Sequence, residues 1–430
     1  MRDYDVRFCI FCSAVILFFP QLQFAAGLLF EQFLTMSITM LLFYHILIGK
    51  RKMPWAAIFC SMIFMNLFCI DLLRSVNFAI ANDFFELIKP VSFLLYFALG
   101  YTMRFSEIQT ERYTKTLMRF FVLISVLGTL EALVGSVDRL FAVIYKSPRS
   151  PLAHKAVFSF ISPYCLAAML VLPLFFYMFS FFGTKRIKYL MAFLICALCM
   201  LLTQSKTVFL GVLLTFIIAT MIVFFSKWVY GRKRMIMTAL VISVSAVMAF
   251  PLIIIFAEKK LSYLYIGLEV FFKAFSSLDV MKILNAQPNT RLRLEQFIFA
   301  AEAQDSVPLI GVAIGKSVLM PESFYALYLY RTGLIGICAH VLMIFFAARR
   351  AFVLSRFYAE SSRAWLTAFY FSLFIFFISL VFSYFSSAVT DQTRIAFFFY
   401  FFIGHLYSCP IHIASRQKSK ILEYADRSVL

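Results

Sequence analysis

The residues best able to do chemistry lie between positions 203 and 336. Pro321-Glu322-Ser323-Phe324 puts a carboxylate and a hydroxyl at the mouth of an apolar run. Arg331 follows about two turns deeper on the same predicted helix, and a charge inside a span marks a substrate path or an ion pair. The plainer readings are a solvated loop carboxylate for Glu322 and a snorkelling or structurally paired Arg331. Arg291 and Arg293 open a predicted amphipathic helix. Guanidinium groups bind phosphate through paired hydrogen bonds, although two arginines also suit a solvated polar face. Ser205-Lys206-Thr207 joins two apolar runs, and Lys206 is its cation; an ordinary snorkelling lysine fits there too. Pro308-Leu309-Ile310-Gly311-Val312-Ala313-Ile314-Gly315-Lys316 is a glycine-hinged turn. It lacks the spacing of a nucleotide-binding P-loop, so Gly311 and Gly315 read first as points of tight backbone.

Other polar groups carry weaker signals. Asp71 and Glu131 fall near the ends of spans and read as structural, with Arg74 spaced to pair with Asp71. His45, His154, His340, His405 and His412 have no metal-ligand spacing. Asp3-Tyr4-Asp5 sits in a tail too short to build a nucleotide-sugar metal site. The nine cysteines lie in or beside apolar runs. Cys9/Cys12 and Cys196/Cys199 have C-x-x-C spacing but fall within spans, where they read as small packing residues. Neither a metal site nor a cofactor is expected.

The elements that position these residues follow from composition. The 430 residues are 63% hydrophobic and 14% charged, with mean hydropathy +0.90. Soluble domains are roughly 45–50% apolar, and a soluble core cannot hide this excess. The chain is read as all-α and polytopic, about twelve spans of ~20 apolar residues each. Their cores are 8–28, 31–48, 55–73, 88–103, 117–135, 160–182, 189–204, 207–226, 235–257, 324–346, 364–386 and 395–413. Residues 1–257 form a bundle of about nine spans and 324–413 about three more. The net charge of +19 reflects Lys and Arg gathered in short loops, not affinity for nucleic acid. With the N-terminus cytoplasmic, the compact basic clusters all fall on the inner side. Both termini are then cytoplasmic, and 414–430 is a cytoplasmic tail.

The stretch 258–323 is one large loop outside the cytoplasm, between spans nine and ten, far longer than an ordinary connection. Pro288-Asn289-Thr290 is a helix start signal. Beyond it, Leu294, Phe297, Ile298 and Ala301 share one predicted face, with Arg291, Glu295 and Glu302 opposite. Such a helix can lie along a membrane surface.

These pieces together resemble the bacterial O-antigen polymerase and O-antigen ligase superfamily. The ligase signature is a histidine, then Asn, Ser or Gln, nine residues, Gly, two residues, and Gly, Thr or Tyr. Here Glu322 stands at the histidine position, Ser323 follows, and the spacing leads to Gly333 and Gly336. Arg291 with Pro308-Leu309-Ile310-Gly311 through Gly315 looks like the family's arginine helix and "p-l-G-x-G" turn. Ser205-Lys206-Thr207 looks like its "S-R-t" turn with lysine for arginine. The motif likeness spans roughly 203–336. Glutamate for histidine argues for the polymerase branch.

The resemblance implies a glycosyltransferase of the bacterial inner membrane that joins polyprenyl-diphosphate-linked oligosaccharide repeats at the periplasmic face, with inversion. The leaving diphosphate gathers negative charge in the transition state. Arg291, Lys206, Arg293 and Arg331 are the cations expected to hold it in place of a metal. Ser323, Gly311 and Gly315 complete the expected substrate contacts. Glu322 is the expected general base, made more basic by partial burial at the membrane mouth. The implied partners are the bilayer, a chain-length regulator and a flippase.

Three other readings compete. An O-antigen ligase would act on a lipid A-core acceptor, and the absent histidine counts against it. A lipid-linked oligosaccharide flippase or other transporter would share the topology, but the sequence displays neither matching halves nor broken helices. A non-catalytic scaffold leaves the spaced Arg, Gly and Glu without a role.

Overall fold

The computed structural model describes residues 2–20, 35, 37–42, 44–45, 81–145, 155–225, 288–303, 309, 311 and 322–409. The expected spans 55–73 and 235–257, the tail 414–430, and Asp71, Arg74, His154 and Gly315 lie outside them. Among the described residues the fold is all-helical, without strands. The helices are α1 Arg2–Phe18, α2 Ala81–Met103, α3 Glu107–Leu133, α4 Gly135–Ile144, α5 Pro163–Thr184 and α6 Ile187–Leu202. They continue with α7 Lys206–Phe225, α8 Pro288–Glu302, α9 Phe324–Glu360, α10 Ala364–Ser383 and α11 Thr393–Ser408, with a 3-10 turn at Val389–Asp391 before α11.

The chain has the make-up of a helical membrane protein. Within the described residues α3, α5, α7, α9 and α10 are each long and apolar enough to cross a bilayer. Helices α5 and α10 are buried along nearly their whole length and form the centre. Helices α7 and α9 instead turn Leu214, Ile217, Met221, Leu342 and Phe345 outward. Such apolar stripes are costly in water but suit hydrocarbon.

Local sequence explains the helix ends. Ser106 and Gln109 form a reciprocal capping box at the start of α3, satisfying amides that the first turn leaves open. Ser162 caps α5, with Pro163 in the first turn where its missing N–H costs nothing. Helices α2 and α11 approach backbone to backbone, because a side chain at Gly100 or Gly404 would strike the facing carbonyl.

Hydrogen bonds define two ends of the bundle. At one, Arg394 donates to the carbonyls of Ile16, Leu17 and Phe19, the Tyr145 hydroxyl to Phe18, the Ala156 amide to Leu202, and the Phe324 amide to Tyr384. At the other, Arg350 donates to the carbonyls of Leu406 and Cys409, Lys115 lies over Trp365, and Arg363 faces Glu107.

Three elements depart from expectation, one of them twice. Helix α1 stops at Phe18, short of residue 28, just ahead of Pro20, which disfavours helical backbone before it. The short helix α4 falls in a stretch read as a connection. Helix α9 runs 37 residues, roughly 55 Å at 1.5 Å per residue, well past the expected end at 346. It is also broken: Gly333 has φ +66° and ψ −168°, although no broken helix was legible in the sequence.

Candidate functional site

The break at Gly333 organises one end of the molecule. A break frees backbone groups that the helix would pair, and in an apolar setting they need other partners. The Ile335 amide finds the Leu309 carbonyl at 3.2 Å. Gly311, at φ +80°, packs so closely on the Arg331–Thr332 peptide that a Cβ there would collide with it. Leu309 and Gly311 therefore act as a backbone plug for α9. Gly336 abuts the Thr332 side chain.

Glu322 is held by its main chain and presented by its side chain. Its amide donates to Gln296 Oε1 of α8 at 3.0 Å, and its carbonyl accepts from the Ala388 amide at 2.9 Å. The residue is exposed, so the expected partial burial is not met by the protein's own packing. Its neighbour Ser323 points inward, donating its buried hydroxyl to the Tyr384 carbonyl at 3.1 Å. No ion pair joins Glu322 to a cation among the described residues.

Arg331 is 2% exposed, with Nη1 3.8 Å from Asp391 Oδ2. Lys89 of α2 reaches the same oxygen at 2.6 Å. Two cations from different helices thus converge on one carboxylate in the turn before α11. Thr390 beside it joins a buried chain: Tyr384 Oη lies 3.0 Å from Thr390 Oγ1 and 2.8 Å from His340 Nε2. Sequence reasoning passed over Lys89 and Asp391. The available signal was a lysine beside Pro90 in a span and an aspartate between two apolar runs.

On α8 the buried residues are Gln296 and Ala300, with Arg293, Phe299 and Ala303 half-buried. Phe299 stacks on Tyr330 of α9 at 5.9 Å. Leu294, Phe297 and Ile298, read as one apolar face of a helix able to lie along a membrane surface, are exposed. The reason is that α8 docks on α9 through a stripe centred on Gln296. Arg293 lies over the Tyr164 ring at 5.7 Å, a cation–π contact. Arg291 points to solvent and pairs with Glu295 one turn on at 2.9 Å.

Lys206 starts α7 at the same end of the bundle, half-buried. Opposite it runs a strap, residues 155–162. Glu131 at the end of α3 is 1% exposed, and its Oε2 accepts from the amides of Val157 and Phe158 at 2.7 and 2.6 Å. The Ala156 amide adds a bond to Leu202 at 3.0 Å. This fixes the strap that carries Lys155, itself half-buried. Burial pushes the Lys155 pKa below its ordinary value. Glu131 has the structural role expected of it; Lys155 was overlooked.

The expected site residues therefore share one end of the bundle but fall into separate groups: Glu322 against α8, Arg331 with Lys89 and Asp391, Arg293 over Tyr164, and Lys206 at the start of α7. Among the described residues no three His, Cys, Asp or Glu side chains gather as a metal site. Comparison with protein-family models, curated proteins and solved structures gives no match.

Proposed function

We propose that this protein is a polymerase of polyprenyl-diphosphate-linked oligosaccharide repeats, working at the periplasmic face of a bacterial inner membrane. The observation that carries the reading is Glu322: its main chain is pinned between α8 and the turn at Ala388, and its carboxylate is open to solvent at the end that also holds Lys206 and Arg293. In this reading the carboxylate takes the proton from the acceptor hydroxyl. The freed oxygen attacks the anomeric carbon, the bond from that carbon to the diphosphate oxygen breaks, and nearby cations take up the growing charge. The polyprenyl tail lies along the apolar helices. Arg331 acts at one remove, since it is packed on Asp391.

Orientation enters the same proposal. The end opposite Glu322 carries Lys115, Lys185, Lys188, Arg349 and Arg356 on short connections and helix ends, as cytoplasmic faces do. About twelve spans, both termini inside and a large periplasmic loop complete the reading, with a flippase and a chain-length regulator as partners. A ligase is the same chemistry on another acceptor. A transporter is favoured by one observation, the broken helix α9, since such breaks mark substrate sites in transporters.

The test is the surface-polysaccharide profile of a strain lacking the protein, run beside its lipid-linked intermediates. A ladder collapsing to a single repeat on the final acceptor supports the polymerase. Full-length polymer stranded on the polyprenyl carrier identifies a ligase. Single repeats trapped on the cytoplasmic leaflet identify a flippase, and an unchanged profile rejects all three.

A further inference from the structure

The face through which α8 docks on α9 carries a glutamine. Gln296 is 4% exposed. An amide side chain buried in a helix contact costs free energy unless it is hydrogen-bonded, and an apolar residue would pack there as well. The reason for a glutamine is what it holds: its Oε1 accepts from the Glu322 amide at 3.0 Å.

That bond is one half of a clamp. On the other side of the same Cα, the Glu322 carbonyl accepts from the Ala388 amide at 2.9 Å. The chain beyond is braced on the end of α10. The Ser323 hydroxyl and the Phe324 amide both donate to the Tyr384 carbonyl, and the Phe324 ring stacks on that of Tyr384 at 4.1 Å. Among the described residues, the hold on the amide side of Glu322 comes from Gln296. A backbone has two soft dihedrals per residue. Holding the peptide groups on both sides of one Cα therefore fixes the direction in which its side chain leaves.

Helix α8 ties the same point to a cation. Arg293 lies one turn before Gln296, a spacing that shares a helix face, and its guanidinium sits over the Tyr164 ring of α5 at 5.7 Å. Phe299, one turn after, stacks on Tyr330. We infer that Gln296 is a positioning residue: through the Glu322 amide it sets the reach of that carboxylate toward the acceptor hydroxyl, at a spacing from Arg293 that α8 fixes. The inference rests on the proposed polymerase reading, in which Glu322 is the base. Placement of this kind carries large effects, since a shift of about 1 Å in a reacting group costs up to ~100-fold in rate.

The experiment measures repeat joining by the full chain in nanodiscs, with lipid-linked single repeats extracted from the strain lacking the protein as substrate. Gln296→Met keeps the bulk and removes the acceptor; Gln296→Glu keeps an acceptor. The expected result is a kcat about tenfold lower for Gln296→Met with KM unchanged, and most of the rate recovered in Gln296→Glu. The double variant Glu322→Gln/Gln296→Met should be no slower than Glu322→Gln alone, because nothing is left to position; residues that act as a unit are not additive. If the two losses multiply in the double variant, Gln296 only supports the fold and the inference is overturned. If Gln296→Met joins repeats at the wild-type rate while Glu322→Gln is slow, the positioning role is wrong and Glu322 stays as the base. If Glu322→Gln joins at the wild-type rate, the base assignment fails and Gln296 fails with it. No joining by the wild type rejects the polymerase reading itself.

Discussion

Lys89 of α2 and Asp391 of the turn before α11 form an ion pair with Nζ and Oδ2 2.6 Å apart. It ties residues 302 positions apart in sequence and brings a second cation to the carboxylate that also faces Arg331. Removing one member of a buried pair strands the other charge, a cost of about 3–5 kcal/mol. Asp391→Asn is therefore expected to lower unfolding stability in micelles on that scale, and far more than Glu322→Gln. Equal melting of the two variants would mean that the charge cluster is not structural.

Gly311 and Gly333 should be intolerant of any side chain. Gly333 occupies a backbone region almost confined to glycine, and strain of that kind costs about 1–3 kcal/mol. Gly311→Ala adds a collision with the Arg331–Thr332 peptide. Gly135 makes a control: it sits exposed at the start of α4 with open space around it, where alanine should stabilise by about 0.5 kcal/mol. Melting temperatures of the three alanine variants check this, and a harmless Gly311→Ala would remove the backbone plug.

Glu131→Ala deletes the acceptor for two buried amides, each costing about 1–3 kcal/mol when unsatisfied. The expected signature is local: hydrogen exchange at Val157 and Phe158 accelerates, while amides at the centre of α10 keep their protection. Unchanged exchange in the strap would show that Glu131 does not anchor it.

Lys155 predicts a pH dependence. Burial lowers its folded-state pKa below the ordinary 10.5. Between the folded and unfolded values the unfolded chain binds more protons, so stability rises with pH across that window. Below it, the cost of burying the charge is present in full. The melting temperature of the wild type minus that of Lys155→Met should therefore increase as pH climbs toward 10.5. A difference that stays flat with pH would place Lys155 in free solvent.

Glu322→Gln should slow repeat joining by roughly a hundredfold or more, the usual contribution of a general base, with expression intact. Among the arginines of α8, Arg293→Ala should weaken chain growth more than Arg291→Ala, since Arg293 packs inward on Tyr164 and Arg291 faces water. The ladder length of each variant on a polysaccharide gel decides both points; normal polymer from Glu322→Gln would dismiss that residue as the base.

Much of the architecture was legible from residue order alone, because hydrocarbon imposes a strong rule: long apolar runs must be helices. The starts of α3, α5 and α8 carried local capping or start signals that need no tertiary contact. Glycine spacing marked 311 as a place of tight backbone, and Glu131 as structural was also readable. What sequence could not assign was the partner of each group. The break in α9 depends on a loop carbonyl two dozen residues upstream. The packed face of α8 follows Gln296, not its most apolar stripe, because docking on α9 and binding Glu322 outweigh the burial of Leu294 and Phe297. Asp391 gains meaning only when α2 and α9 bring Lys89 and Arg331 to it, and Glu131 only when its Oε2 takes the amides of Val157 and Phe158. Periodicity is a property of neighbouring residues and survives in the sequence; convergence of charges from distant helices is a property of packing, and tertiary structure alone decides it.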